Sequence, residues 1–141
     1  MMPIYANRNI SILYRHSQRY LSARLKPHGI AVGQFLVLLR VMNAPNITQD
    51  GLSAALAMDK GTIARSVADL ERKGFILRIP DEIDRRVNHV QPTEKTLLLR
   101  QDLIGIVDDL HGILYEGLST DEIDQLVKLI DRMQINLLNS F

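Results

Sequence analysis

"DEIDRRVNHV", residues 81–90, decides how this chain is read. Three acids fall within four positions, two adjacent arginines follow, and then apolar and polar residues alternate. The alternation, Val87 and His89 against Asn88 and Val90, is too short for a helix face and has the period of a strand. Just upstream, "FILRI" (75–79) has the same period. The two segments predict a hairpin, "FILRI" and "RRVNHVQ" (85–91), joined through "PDEID" with charge at the tip. The question is why Arg85 and Arg86 stand at the mouth of the return strand.

The answer lies in what precedes the hairpin. From Lys60 to Lys73, Ile63, Val67 and Leu70 step at four and three, which predicts a helix. Asp59 is placed to cap its start, and Gly74 to supply the left-handed residue just past its end. Thr48 is placed to cap a shorter helix with Leu52, Ala55 and Leu56 inward, and "AMD" (57–59) makes the turn between the two. "AVGQFLVLLRVM" (31–42) is apolar nearly all round, as a buried helix is.

Helix, short helix, tight turn, helix and hairpin between 31 and 92 make a winged helix-turn-helix, whose second helix enters a DNA major groove. With Ile63, Val67 and Leu70 inward, Lys60, Thr62, Arg65, Ser66 and Asp69 are expected to point out. Arg65 can donate two hydrogen bonds to guanine, while Thr62 and Ser66 can reach bases or phosphate. Gly61 lets backbone approach closely. Arg85 and Arg86 then lie where a wing tip meets the negative potential of a minor groove. On a pleated strand their side chains diverge, and Asp81 and Asp84 are placed to brace them.

Longer helices flank this lobe. Residues 7–26 carry Ile10, Leu13, Leu21 and Leu25 at helical spacing and end at Pro27 and Gly29. Thr93 is placed to cap a helix running to about Gly117. The last helix, "LSTDEIDQLVKLIDRMQINLL" (118–138), opens on a capping box, Ser119 and Glu122. Ile123, Leu126, Val127, Ile130, Met133 and Leu137 share its apolar face. These terminal stripes exceed what a lobe of about 60 residues can cover, so Leu137, Leu138 and Phe141 call for a partner. The expected fold class is mainly α (α+β), one domain over 1–141.

Composition narrows the function. The 141 residues include no Cys, which excludes disulfides, zinc–thiolate sites and thiol chemistry. No apolar run reaches the ~18 residues of a membrane span, and "MMPIYANRNI" lacks the pattern of a signal peptide, so a cytoplasmic protein is expected. The net charge of +1 hides an asymmetry: residues 1–47 hold six Lys/Arg and no acid, residues 92–141 four basic and nine acidic residues. A basic front half fits an anionic partner. His16, His28, His89 and His111 share no metal-ligand spacing, and no phosphate loop or nucleophile signature occurs. Neither an enzyme nor a cofactor is expected.

"LKPHGIAVGQFLVLL" (25–39), "DKGTIARSVADLERKGFILR" (59–78) and "DEIDRRVNHVQPTEK" (81–95) together resemble the MarR family of transcriptional regulators, and within it the SlyA type. The last segment matches that family's wing pattern, D-x-x-D-R-R. Two departures sit at the junction after the hairpin: Pro92 where the family usually has Leu, and Thr96 where it often has Gly. The resemblance covers essentially the whole chain. It implies a homodimer on double-stranded DNA, with helices over 7–28 and 93–140 interlocking, contacts from Thr48, Lys60, Thr62, Arg65, Ser66, Arg85 and Arg86, and repression of palindromic promoter sites. It also implies relief by a small aromatic carboxylate or phenolic ligand in a cleft lined by Arg15, Arg19 and Phe35. The rival expectation is a winged-helix protein-interaction module that does not bind DNA.

Overall fold

The computed structural model describes residues 5–141. Its elements are α1 (Ala6–Leu25), α2 (Val32–Asn43), β1 (Ile47–Thr48), α3 (Gln49–Leu56), α4 (Lys60–Arg72), β2 (Ile76–Pro80), β3 (Asn88–Pro92), α5 (Glu94–Leu114) and α6 (Thr120–Leu138). A 3-10 turn over Lys26–His28 closes α1, with Gly29 left-handed at φ 71°. The chain divides into two compact units, one ending at Ile106 and one covering Val107–Phe141.

The core of the first unit is built from the apolar faces that the periodicity marks. Phe35, Val37, Leu38, Val41 and Met42 of α2 are buried with Leu52 of α3, Ile63, Val67 and Leu70 of α4, Phe75 before β2, Ile76 and Val90. Each helix start is fixed locally. The Thr48 hydroxyl accepts from the Gly51 amide at 2.9 Å, and Asp59 Oδ1 accepts from the Thr62 amide at 2.7 Å. Such a cap contributes about 1 kcal/mol. Ala57, left-handed at φ 52°, turns the chain between α3 and α4, and Gly74 at φ 85° releases it from α4 into β2.

The sheet has three antiparallel strands in the order β1–β3–β2. Val90, the buried centre of β3, pairs with Ile47 on one side and Arg78 on the other. β1 leaves no mark in the sequence, since two residues are too short to show a period.

After β3 the chain is fastened to the end of α4. Thr93 and Thr96 donate their hydroxyls to the carbonyls of Gly74 and Phe75 at 2.7 and 2.6 Å, and Lys95 donates to Lys73 O at 3.0 Å. Thr96 is fully buried. A glycine there could not make this bond, so Thr96 strengthens the junction at which the chain departs from the family pattern.

In the second unit the capping box is formed from both sides: Ser119 Oγ accepts from the Glu122 amide at 3.1 Å, and Glu122 Oε1 accepts from the Ser119 amide at 2.9 Å. No residue of α6 is buried. Its apolar face lies open, with Leu126, Val127, Met133, Ile135, Leu137 and Leu138 all exposed. Among the described residues, no helix is long and apolar enough to cross a membrane.

Candidate nucleic-acid interface

The outward face of α4 is organised from its cap. Asp59 Oδ2 accepts the Thr62 hydroxyl proton at 2.9 Å, and that hydroxyl oxygen accepts from Arg65 Nη2 at 3.2 Å. The Thr62 amide, then its hydroxyl, hold the Asp59 carboxyl below the usual range. A chain Asp59–Thr62–Arg65 therefore fixes the guanidinium along the first two turns of the helix. Gly61 makes room for it: a Cβ there would stand 3.3 Å from Arg65 Nη1 and from Asp59 Oδ1. Lys60 is exposed and pairs loosely with Asp50 of α3 at 3.6 Å. Further along α4, Asp69 is half-buried and turned to α2. It accepts from Gln34 and lies 3.0 Å from Lys73 Nζ, so it braces the helix instead of facing solvent.

Ser66 corrects the expected outward face. It is only 8 % exposed, among the buried residues of α4. The reason is helical spacing: Ser66 follows Ile63 by three residues and precedes Leu70 by four, so it belongs to the inward stripe.

The hairpin is a wing, with a correction at its mouth. Arg85 and Arg86 lie in the turn and not on β3, which begins at Asn88. Asp84 braces Arg86 as expected, accepting from Nε at 3.0 Å and Nη2 at 3.2 Å. Asp81 braces no arginine. Its Oδ2 accepts the amides of Ile83 (3.0 Å) and Asp84 (2.9 Å), and its Oδ1 faces His89 Nε2 at 2.8 Å. Arg85 is exposed and, among the described residues, has no hydrogen-bond or ion-pair partner. On the flank of the wing, Glu71 of α4 takes both Nε and Nη2 of Arg78, at 3.1 and 2.8 Å. That fork ties β2 to α4, and no spacing rule in the sequence marks it.

His89 is the residue that sequence reasoning missed. Its Nδ1 lies 2.8 Å from the Asn46 carbonyl, its Nε2 2.8 Å from the Asp81 carboxylate. Both partners only accept, and a neutral imidazole has a single N–H, so only the protonated ring satisfies both. The Asn46 carbonyl, then Asp81, accordingly raise the His89 pKa above 6.5. Asp81 is lowered to about 2, first by the Asp84 amide and then by His89. A raised histidine stabilises the fold fully below its unfolded pKa and loses that as pH rises through the folded one. A lowered carboxylate contributes above its unfolded pKa of 3.8 and loses that as pH falls towards about 2. The wing base is therefore held best between about pH 4 and 6.5. NMR titration of His89 should give a midpoint above 6.5, and Asp81→Asn should lower it. A wild-type midpoint at or below 6.5 would contradict the bridge.

Of the three residues expected to line a ligand cleft, two are exposed and one is buried. Arg15 and Arg19 are exposed on α1, donating to Ser11 Oγ at 2.8 Å and His16 Nδ1 at 2.9 Å. Phe35 is 1 % exposed and sits within the core, because Phe35, Leu38 and Met42 form the inward face of α2.

The MarR family model matches residues 30–87, from just before α2 to the end of the wing turn. A solved MarR transcriptional regulator from Methanosarcina mazei Go1 is 34 % identical, with 97 % of this chain and 99 % of that one covered and a TM-score of 0.85. The chain belongs to the MarR family of transcriptional regulators. The transcriptional regulator SlyA superposes with a TM-score of 0.90 at 27 % identity, over 97 % of this chain and 96 % of that one. A mutant MarR from E. coli, complexed with operator DNA, is 30 % identical over 92 % of this chain and 94 % of its own, with a TM-score of 0.82. Within this MarR-family chain the matched span contains the cap of α4, the Asp59–Thr62–Arg65 chain and both wing arginines. His89 lies just beyond it.

Proposed function

We propose that this protein is a homodimeric, sequence-specific binder of double-stranded DNA that represses palindromic promoter sites in the cytoplasm. The observation that carries the proposal is the guanidinium of Arg65, held on the exposed first turns of a capped helix beside a wing bearing Arg85 and Arg86. The N-terminal residues of such a helix contact base edges, and wing cations track phosphate or a narrow minor groove. Lys60 and Thr62 complete the helix contacts. Thr48 lends its hydroxyl to the α3 cap and would reach phosphate from there. The solved E. coli relative in complex with operator DNA supports the reading. The open apolar face of α6 supports the dimer, because an amphipathic helix of 19 residues with nothing buried needs a cover. Each subunit would then read a half-site.

An effector, a small aromatic carboxylate or phenol, enters from the family resemblance. Arg15 and Arg19 are the donors for it, and Phe35 has no part in it. The rival reading, a winged-helix protein-interaction module, has no use for an Arg65 preset on the outward face of α4.

Anisotropy titrations across salt concentrations test the proposal. Binding to duplex should fall steeply with salt, as neutralised phosphates release counterions. Arg85 has no partner among the described residues, so Arg85→Ala should flatten the slope of log K against log salt by about one unit. Arg86→Ala should do less, because Asp84 already engages that guanidinium. Unchanged slope and affinity in both variants would remove the wing from the interface.

A further inference from the structure

We infer that Ile83, at the apex of the wing, makes an apolar contact with the deoxyribose walls of the DNA minor groove. The inference rests on the DNA-binding reading above and adds a contact of a different physical kind.

Ile83 is 97 % exposed, the most exposed of the large apolar side chains described. Single exposed apolar residues are ordinary on protein surfaces, so its setting matters. The Ile83 amide is tied to Asp81 Oδ2 at 3.0 Å, and Asp81 is itself held by His89 at 2.8 Å. The apex is thus presented on a fixed backbone. A β-branched side chain has little χ1 freedom left to lose when it docks. Ile83 also shares a wall with Ile79 and Pro80, along a hollow of about 380 Å³ on the wing flank. Asn46, Asp81, Glu82 and His89 line the same hollow, so Ile79, Pro80 and Ile83 form an apolar strip beside polar groups.

Charge points to the same occupant. Residues 81–86 contain three acids, Asp81, Glu82 and Asp84, against two arginines. His89 and Arg86 take up Asp81 and Asp84, which leaves Glu82 and Arg85 at the tip. With Glu82 beside Arg85, charge supplies only part of what the tip can gain. Minor-groove proteins commonly pair basic residues with an apolar side chain, such as Ile, Leu or Phe, wedged between base steps; Ile83 would use the C–H surface of the sugar walls instead. Arg85, two residues away, is its basic companion.

The test compares Ile83→Ala with Arg85→Ala on one duplex. Removing buried methyl groups should lower affinity about tenfold and leave the log K against log salt slope unchanged. Arg85→Ala should instead change the slope. The thermal midpoint of Ile83→Ala should match the wild type, since the side chain covers no core. Hydroxyl-radical footprinting, which attacks deoxyribose from the minor groove, should show wild-type protection at the flanks of each half-site. Ile83→Ala should lose that flank alone. Unchanged affinity and protection in Ile83→Ala, beside salt-sensitive wild-type binding, would overturn this inference and leave the DNA reading standing. A tenfold loss accompanied by a flattened slope would also overturn it, since Ile83 would then act by placing a cation. Failure of the wild type to bind duplex at all would overturn both.

Discussion

Arg65→Ala is expected to lower affinity for the specific duplex about ten- to hundredfold and to lower nonspecific affinity far less. A bidentate contact to guanine O6 and N7 carries roughly 1–3 kcal/mol of discrimination, and the planar guanidinium is what makes it bidentate. Arg65→Lys should therefore recover only part of the loss. Thr62→Val is an informative companion. It removes the hydroxyl that links Asp59 to Arg65 at 2.9 and 3.2 Å while keeping the side-chain shape. Specific affinity should fall, by less than in Arg65→Ala. Equal loss of specific and nonspecific affinity in Arg65→Ala would make Arg65 a phosphate contact and place specificity at Thr62 or in DNA shape.

Placing Asp at both Leu137 and Leu138 is expected to convert dimer to monomer or aggregate in sedimentation, with operator affinity falling by well over tenfold. Both side chains are more than half exposed in the single chain, so the substitutions should leave its helix content unchanged. The cost falls on assembly, where two carboxylates would be taken from water without partners. A monomer engages one half-site and loses the gain of holding two together. A variant that stays dimeric with unchanged affinity would remove the end of α6 from the interface.

Much of the fold is legible in the sequence because it rests on local chemistry. The caps at Thr48, Asp59 and Ser119, the capping box at Glu122 and the left-handed Gly74 are each read within four residues and stand as expected. What escaped is tertiary or too short. β1 has two residues and forms only because β3 offers an edge. The His89 bridge joins residues 46, 81 and 89, and no spacing rule connects them. The errors are geometric. Ser66, expected on the outward face once Ile63, Val67 and Leu70 point inward, lies three residues after Ile63 and falls on the inward stripe. Arg85 and Arg86 lie in the turn, ahead of the strand on which the alternation places them. Phe35 belongs to the core that the apolar run around it marks, and not to a cleft.

Whether α4 and the wing read a DNA sequence is decided by comparing two duplexes. The intact protein is titrated by anisotropy against duplex from its own upstream region and against a scrambled duplex of the same composition, at one fixed salt concentration. The upstream duplex should bind more tightly by about a thousandfold or more, with most of that ratio lost in Arg65→Ala. Equal affinity for the two duplexes, or no binding to either, would contradict sequence reading and favour a winged-helix module that meets another protein.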